Sequence, residues 1–157
     1  MALLLMPTDE QLNTFAGNFI KMLPHCHHLN MSLIHAAPDG VEMEMPYDTR
    51  LVGNPETGVI HSGVITTLMD SCSGVAVYAR LSKMEACPTL DLRIDHLTTA
   101  EPEKPIRAFA EVYHMTDSMV FVRGVAFQES KEKPFAHSIG TFMRLGKEGL
   151  SPKEGRS

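Results

Sequence analysis

The segment from Ser62 to Leu81 constrains the fold more than any other part of the sequence. Its apolar residues recur at helical spacing, but they fall on almost every side of the helix. They are Val64, Ile65, Leu68, Met69, Cys72, Val75, Ala76, Val77 and Ala79. A helix that is apolar nearly all round is stable only when it is buried. The rest of the chain is therefore expected to wrap around this helix.

The wrapping layer is predicted by extended apolar runs on both sides of the helix. Four of them follow it: Thr89–Thr99, Ile106–Met115, Met119–Glu129 and Phe135–Leu145. Their connectors are short, so the runs predict an antiparallel meander. Before the helix, Leu29–Ala37 and Val41–Met45 flank a Pro-Asp-Gly turn and predict a β-hairpin. The expected fold class is α+β, a long antiparallel β-sheet wrapped around a central buried helix.

The length of 157 residues fits one domain. Thr8 and Gln11 form a capping-box pattern, and apolar residues at helical spacing follow, so an N-terminal helix should end before Pro24. The expected organisation is an N-terminal arm and helix (1–27), a central domain (28–146) and a polar C-terminal tail (147–157).

The charge balance argues against several classes of partner. The net charge is -5, with 14 basic and 19 acidic residues, so we expect no nucleic-acid partner. No run approaches the ~20 apolar residues of a membrane-spanning helix, so we expect no membrane partner. Cys26, Cys72 and Cys87 are too few and too scattered for a disulfide framework. This cysteine usage favours a reducing compartment, and we predict a cytoplasmic protein.

Asp70 is the anomaly in the apolar helix. A carboxylate there loses its water unless it is partnered, so its charge needs a reason. Thr66 and Ser73 lie about one helical turn to either side, and these small hydroxyl residues leave room for a substrate. The alternative is a structural aspartate that caps a loop or pairs with Arg80 or Arg93. The residue pattern alone leaves both interpretations open.

The His-Ser-Gly tripeptide at 61–63 stands where a loop becomes the helix. The first backbone N–H groups of a helix have no partner inside it, and they favour an anion or a developing oxyanion. Acyl-transfer chemistry needs such donors. Every helix has such an end, and a lone histidine often packs or caps, so the tripeptide gains meaning mainly from its spacing to Asp70.

Residues 54–70 read NPETGVIHSGVITTLMD, with Asp70 seven residues after Gly63. This stretch resembles the signature of the PaaI-like hotdog-fold acyl-CoA thioesterases, which has an Asn, a Gly, a His-Gly-Gly and an Asp at that same spacing. Segments 88–94 and 138–142 are similar to the family's third and last strands. The resemblance implies that the central domain is a hotdog thioesterase domain, which hydrolyses an acyl-CoA thioester to a free acid and CoA.

The resemblance also implies roles for the matching positions. Asp70 would act as general base or nucleophile toward the thioester carbonyl, which the backbone N–H of Ser62 would polarise. His61 would orient the loop or touch the thioester, and Thr89 would help to hold the attacking water. Asn54 is a further catalytic candidate. The candidate substrate-binding residues are Gly58, Gly63, Thr66 and Ser73.

In this family the carboxylate and the oxyanion donor come from different subunits. The resemblance therefore implies a homodimer, and a tetramer formed as a dimer of dimers. An acyl-CoA is the expected partner; coenzyme A enters as part of the substrate, and neither a separate cofactor nor a metal is expected. Neighbouring strand residues such as Val120 and Phe121 point to opposite faces of the sheet, and both are apolar. This independently indicates that the second face of the sheet meets another protomer.

The sequence departs from the family pattern at two places. Ser62 replaces a glycine of the family, so a non-catalytic acyl-CoA-binding or regulatory hotdog module is the alternative function. The interval from Asn54 to Gly58 is one residue longer than the commonest family spacing.

The run at 25–28, His-Cys-His-His, has metal-ligand residue types, but its spacing fits no standard zinc pattern and we expect a solvated loop. Cys72 is expected in the core rather than as a nucleophile.

Overall fold

The segment Ser62–Leu81 forms one helix, which packs against a six-stranded antiparallel sheet. The computed structural model describes residues 8–81 and 85–146. In chain order the elements are α1 (Asp9–Met22), α2 (Pro24–His28), β1 (Ser32–Ala37), β2 (Gly40–Met45), a 3-10 turn (Thr49–Leu51), β3 (Val52–Asn54), β4 (Val59–Ile60), α3 (Ser62–Leu81), β5 (Thr89–His96), β6 (Ile106–Met115), β7 (Met119–Phe127) and β8 (Ala136–Met143). The predicted α+β fold, a long sheet around a central helix, is confirmed. The N-terminal arm up to residue 7 and the tail 147–157 lie outside the described residues.

The core lies between α3 and the sheet. Leu68 and Cys72 of α3 are fully buried, as are Met43 of β2 and Val122 of β7, and all four belong to one apolar cluster. The prediction that α3 is buried nearly all round was too strong, because one side of α3 is not covered by the rest of the described chain. Glycine, threonine and aspartate share one face of α3 at helical spacing, and this face offers little apolar surface to cover.

The strand order is β1-β2-β6-β7-β8-β5. The β1–β2 hairpin and the consecutive pairing of β6, β7 and β8 are confirmed. The meander prediction was wrong for β5, which pairs with β8 instead of β6. The reason is that β2 already occupies the other edge of β6, with Val41 opposite Ala110. The chain after α3 therefore starts at the far edge of the sheet, and the 97–105 connection returns it to β6.

Helix α1 begins with the predicted capping box and ends before Pro24. The Gln11 backbone N–H donates to Thr8 Oγ1 at 3.3 Å, and the Thr8 N–H donates to Gln11 Oε1 at 2.9 Å. The solvated loop predicted for 25–28 is instead the short helix α2, in which Cys26 is buried while the three histidines are exposed. Proline at the first position of a helix favours this turn. No helix in the described part of the chain is long and apolar enough to cross a membrane.

Candidate active site

Asp70 lies on the one face of α3 that the core leaves uncovered. Its side chain is half-buried, and Oδ1 accepts a hydrogen bond of 2.9 Å from the hydroxyl of Thr89, the first residue of β5. Within the described chain Asp70 forms no ion pair with Arg80 or Arg93, and Arg93 binds Asp95 at 3.0 Å. A carboxylate with one neutral donor and access to solvent keeps lone pairs available for another ligand.

The start of α3 is capped by His61. The Gly63 N–H donates to His61 Nδ1 at 2.9 Å, and the Val64 N–H donates to the His61 carbonyl at 3.0 Å. A neutral imidazole that accepts at Nδ1 carries its proton on Nε2. The Ser62 N–H finds no acceptor within residues 8–81 and 85–146. It is therefore the free donor at this helix end.

A small hairpin that the sequence did not reveal holds His61 in place. Strands β3 and β4 pair with each other, and the His61 N–H donates to the Leu51 carbonyl at 2.9 Å. Gly53 lies directly against this backbone, because a Cβ atom there would stand 2.8 Å from His61 Cα. Only glycine fits such a close approach. Gly53 is thus a site residue that sequence reasoning missed; its one signal was its position beside Asn54.

Asn54 and Gly58 shape the loop between β3 and β4. Asn54 Oδ1 accepts from the Glu56 N–H at 3.0 Å, and the Asn54 carbonyl accepts from the Gly58 N–H at 2.9 Å. Gly58 has φ +73°, a left-handed conformation that favours glycine, and its carbonyl accepts from the Tyr47 hydroxyl at 2.9 Å. These hydrogen bonds of the two residues thus lie in the loop or with Tyr47.

The remaining candidates on α3 use their hydroxyl groups within the helix. Thr66 Oγ1 donates to the Ser62 carbonyl at 3.1 Å, and Ser73 Oγ donates to the Met69 carbonyl at 2.8 Å. Thr66 is exposed, about one turn before Asp70, whereas Ser73 is buried. The structure therefore brings Thr66 to the open face beside the carboxylate and directs Ser73 into the core.

Cys72 has the environment of a core residue, as predicted. It is fully buried, and its thiol lies 3.3 Å from the Val41 carbonyl and 3.4 Å from the Ala108 carbonyl. Burial strongly raises the pKa of this thiol, so it stays protonated and is a poor nucleophile.

The two reactive parts are well separated along α3. A helix rises about 1.5 Å per residue, so the Ser62 N–H and the Asp70 backbone lie about 12 Å apart. A thioester carbonyl is far smaller than this gap. One protomer thus offers a carboxylate with a hydroxyl partner at one place and a free helix-end donor at another, each suited to half of an acyl-transfer site.

Comparisons with known proteins identify the family and the fold. The model of the thioesterase superfamily matches residues 57–135. A solved structure from Pseudomonas aeruginosa is 43% identical, with a TM-score of 0.78, covering 85% of this chain and 99% of that one. A mutant of the phenylacetic acid degradation protein PaaI from Thermus thermophilus has the same fold, with a TM-score of 0.69 at 21% identity over 78% of this chain and 100% of that one.

A sequence relative points the same way. A Halobacterium salinarum protein provisionally named an esterase is 32% identical over 75 residues, which are 46% of this chain and 50% of that protein. The chain thus spans about half the length of this curated relative. The superfamily match extends over half of the chain and the fold is that of the solved relatives, so the chain belongs to the thioesterase superfamily and has its hotdog fold.

Proposed function

We propose that this protein hydrolyses an acyl-CoA thioester to a free acid and coenzyme A. The observation that carries the proposal is the 2.9 Å hydrogen bond from Thr89 to Asp70 on the uncovered face of α3. Apolar packing alone does not call for a carboxylate there, whereas ester and thioester hydrolysis needs a base near the carbonyl carbon.

Asp70 is the proposed base or nucleophile. As a base, its free oxygen takes a proton from water while the water oxygen bonds to the carbonyl carbon. The tetrahedral intermediate then collapses, the carbon–sulfur bond breaks, and the thiolate leaves and is protonated as free coenzyme A. Thr89 holds one carboxylate oxygen and, through its own lone pairs, accepts a hydrogen bond from the attacking water. This chemistry uses coenzyme A only as part of the substrate.

The Ser62 N–H is the proposed oxyanion donor, with His61 keeping it in place. Since about 12 Å separates this donor from Asp70 in one protomer, we propose that each site combines Ser62 of one protomer with Asp70 of the next. The outer edge of β5 supports this arrangement, because it has no partner strand within the described residues and lies beside Asp70. A homodimer is therefore the proposed functional unit, with pairing into a tetramer as a further step.

One feature favours a second candidate, a non-catalytic acyl-CoA-binding module. Ser62 is exposed and places a side chain where the family motif has glycine. A side chain there narrows the approach to the helix end, although the backbone N–H remains. Substrate turnover separates the two candidates.

The decisive experiment is a panel of aryl, short-chain and long-chain acyl-CoAs assayed for free thiol release. We expect multiple turnovers with at least one of them, and no thiol release above the rate of spontaneous hydrolysis in a sample without the protein. Tight acyl-CoA binding without any turnover across the panel would identify the binding module instead. Free cysteines agree with a reducing compartment, and we propose the cytoplasm as the site of action.

A further inference from the structure

A partly buried arginine joins three segments close to the candidate site. The Arg144 guanidinium donates to both carboxylate oxygens of Glu85, through Nε at 3.0 Å and Nη2 at 3.2 Å. Its third nitrogen, Nη1, donates to the Thr116 carbonyl at 3.0 Å, in the turn between β6 and β7. Arg144 follows β8 directly, so one side chain ties the end of β8 to that turn and to the segment before β5.

This junction differs from the other ion pairs of the described chain. The side chains of Arg144 and Glu85 are 15% and 4% exposed, whereas those of Arg123 and Glu111 are 63% and 34% exposed. Exposed pairs contribute little to structure because water and salt screen them. A buried two-pronged pair with a further carbonyl contact fixes geometry much more strictly. Glu85 also raises the pKa of Arg144, which keeps the guanidinium charged.

The segment that Glu85 anchors leads straight to Thr89. The Leu145 N–H donates to the Ala86 carbonyl and the Met143 N–H donates to the Pro88 carbonyl, both at 3.0 Å. The next pair in this ladder is Thr89 opposite Phe142, and the register shifts immediately after Thr89. Thr89 therefore lies between the segment that Glu85 anchors and the register shift in β5. Its backbone position depends on these hydrogen bonds and on the anchored segment before it, and its hydroxyl must meet Asp70 within hydrogen-bond range.

We infer that Glu85 and Arg144 are positioning residues, which hold Thr89 so that its hydroxyl donates to Asp70. This inference rests on the proposed function, since it assigns the pair a part in the same reaction. Neither side chain contacts Asp70 or the reacting atoms; both act through the backbone of 85–88. The effect is catalytic because a displacement of about 1 Å in a supporting group costs far more in rate than in stability.

The test is a double-mutant cycle between Glu85→Gln and Thr89→Ala, followed by thiol release from an acyl-CoA. Glu85→Gln keeps the size of the side chain and removes its charge. We expect it to lower kcat about 3- to 10-fold with KM within about twofold, and Thr89→Ala to lower kcat about 10-fold. Because Glu85 acts through Thr89, the double variant should match Thr89→Ala alone. Effects that multiply would overturn the inference.

Two further variants make the cycle robust. Glu111→Gln is the matched control, since it removes the carboxylate that accepts from Arg123 Nε at 2.7 Å on the neighbouring strands, and it should leave kcat unchanged. If Glu85→Gln does not fold, the paired change Glu85→Leu with Arg144→Met replaces the buried ion pair by apolar side chains of similar volume, which is often tolerated. That pair should show the same lack of additivity with Thr89→Ala.

A readout without turnover separates this inference from the proposed function. Thr89→Ala should move the carboxyl carbon-13 resonance of Asp70, and Glu85→Gln should move it in the same direction, because each takes the hydroxyl donor away. A parent protein that hydrolyses no acyl-CoA would refute the proposed function, while this resonance would still decide the positioning. An Asp70 resonance that moves in Thr89→Ala but not in Glu85→Gln would overturn the inference.

Discussion

The backbone groups at the two edges of the six-stranded sheet are satisfied in different ways. Along β1, the Asn13 side chain of α1 donates to the Ala36 carbonyl at 2.8 Å and accepts from the Ala36 N–H at 2.9 Å. These bonds satisfy backbone groups that would otherwise pair with another strand. At the opposite edge, β5 has no partner on its outer side within the described residues. An uncovered edge is a template for a further chain.

The two edges also differ in their distance from the candidate catalytic residues. The closed edge is covered at Ala36 by a helix of the same chain, and no candidate catalytic residue lies along it. The open edge begins at Thr89, which binds Asp70. An open edge beside the carboxylate is the arrangement that the proposed shared site requires.

The proposed chemistry lies at the open edge, so the largest expected effect is that of Asp70→Asn. The change keeps the shape and removes the charge and the basicity, and we expect turnover to fall about 10²–10⁴-fold with little change in substrate binding. Asp39→Asn, in the turn between β1 and β2, is the control, because it removes an exposed carboxylate far along the chain from β5. A folded Asp70→Asn protein with turnover within a few-fold of the parent would refute the catalytic assignment.

The next effect concerns association at β5. The Leu97 N–H donates to the Phe135 carbonyl, so at Leu97 the N–H group of β5 points to β8. Backbone N–H groups along an antiparallel strand point alternately to its two sides. By this alternation the Arg93 N–H points to β8, while the Leu92 N–H points to the open edge. Leu92→Pro should therefore keep the fold but yield monomers by light scattering, with activity lowered about 10-fold or more at micromolar concentration. Arg93→Pro, which breaks the ladder itself, should instead destabilise the fold. A Leu92→Pro protein that is still dimeric would place the interface elsewhere.

At the closed edge the expected effect is on stability alone. Asn13→Ala leaves the Ala36 N–H and carbonyl without their partners, so the free energy of unfolding should fall by about 1–3 kcal/mol while kcat of the folded protein is unchanged. Asn18→Ala is the matched control, an exposed asparagine of the same helix. Denaturant titration measures both. An equal loss of kcat in Asn13→Ala would contradict the division of labour between the edges.

The sequence predicted local elements well and strand partners less well. The bounds of α3 and β6 agree with the prediction, because apolar spacing and short connectors are local signals. The place of β5 was not predictable in this way, since it depends on β2 having taken the edge of β6, a contact between distant segments. The helical turn at 25–28 was missed because a run of histidines has no apolar spacing.

The candidate site shows the same limit. Asp70 stands out as a charge in an apolar helix, but its contact with Thr89 joins positions 19 residues apart on different elements. Only the family resemblance suggested that pair. Glu85 and Arg144 are 59 residues apart, and either looks like an ordinary surface charge in the sequence. Gly53 is required only because the His61 backbone folds back against it.

The smallest expected effect compares two helical glycines, one on each side of the molecule. In α1, a Cβ atom on Gly17 would have nothing within 4 Å, whereas on Gly63 at the start of α3 it would lie 3.0 Å from His61 Nδ1 and 3.2 Å from its Cε1. Gly17→Ala should raise the free energy of unfolding by about 0.5–1 kcal/mol through helix propensity, with kcat unchanged. Gly63→Ala pushes the imidazole away from the Gly63 N–H and loses the cap, so it should cost about 1 kcal/mol and lower kcat a few-fold. Thermal unfolding and thiol release measure both variants, and a Gly63→Ala protein as stable and as active as Gly17→Ala would show that His61 neither caps α3 nor orders the donor at its start.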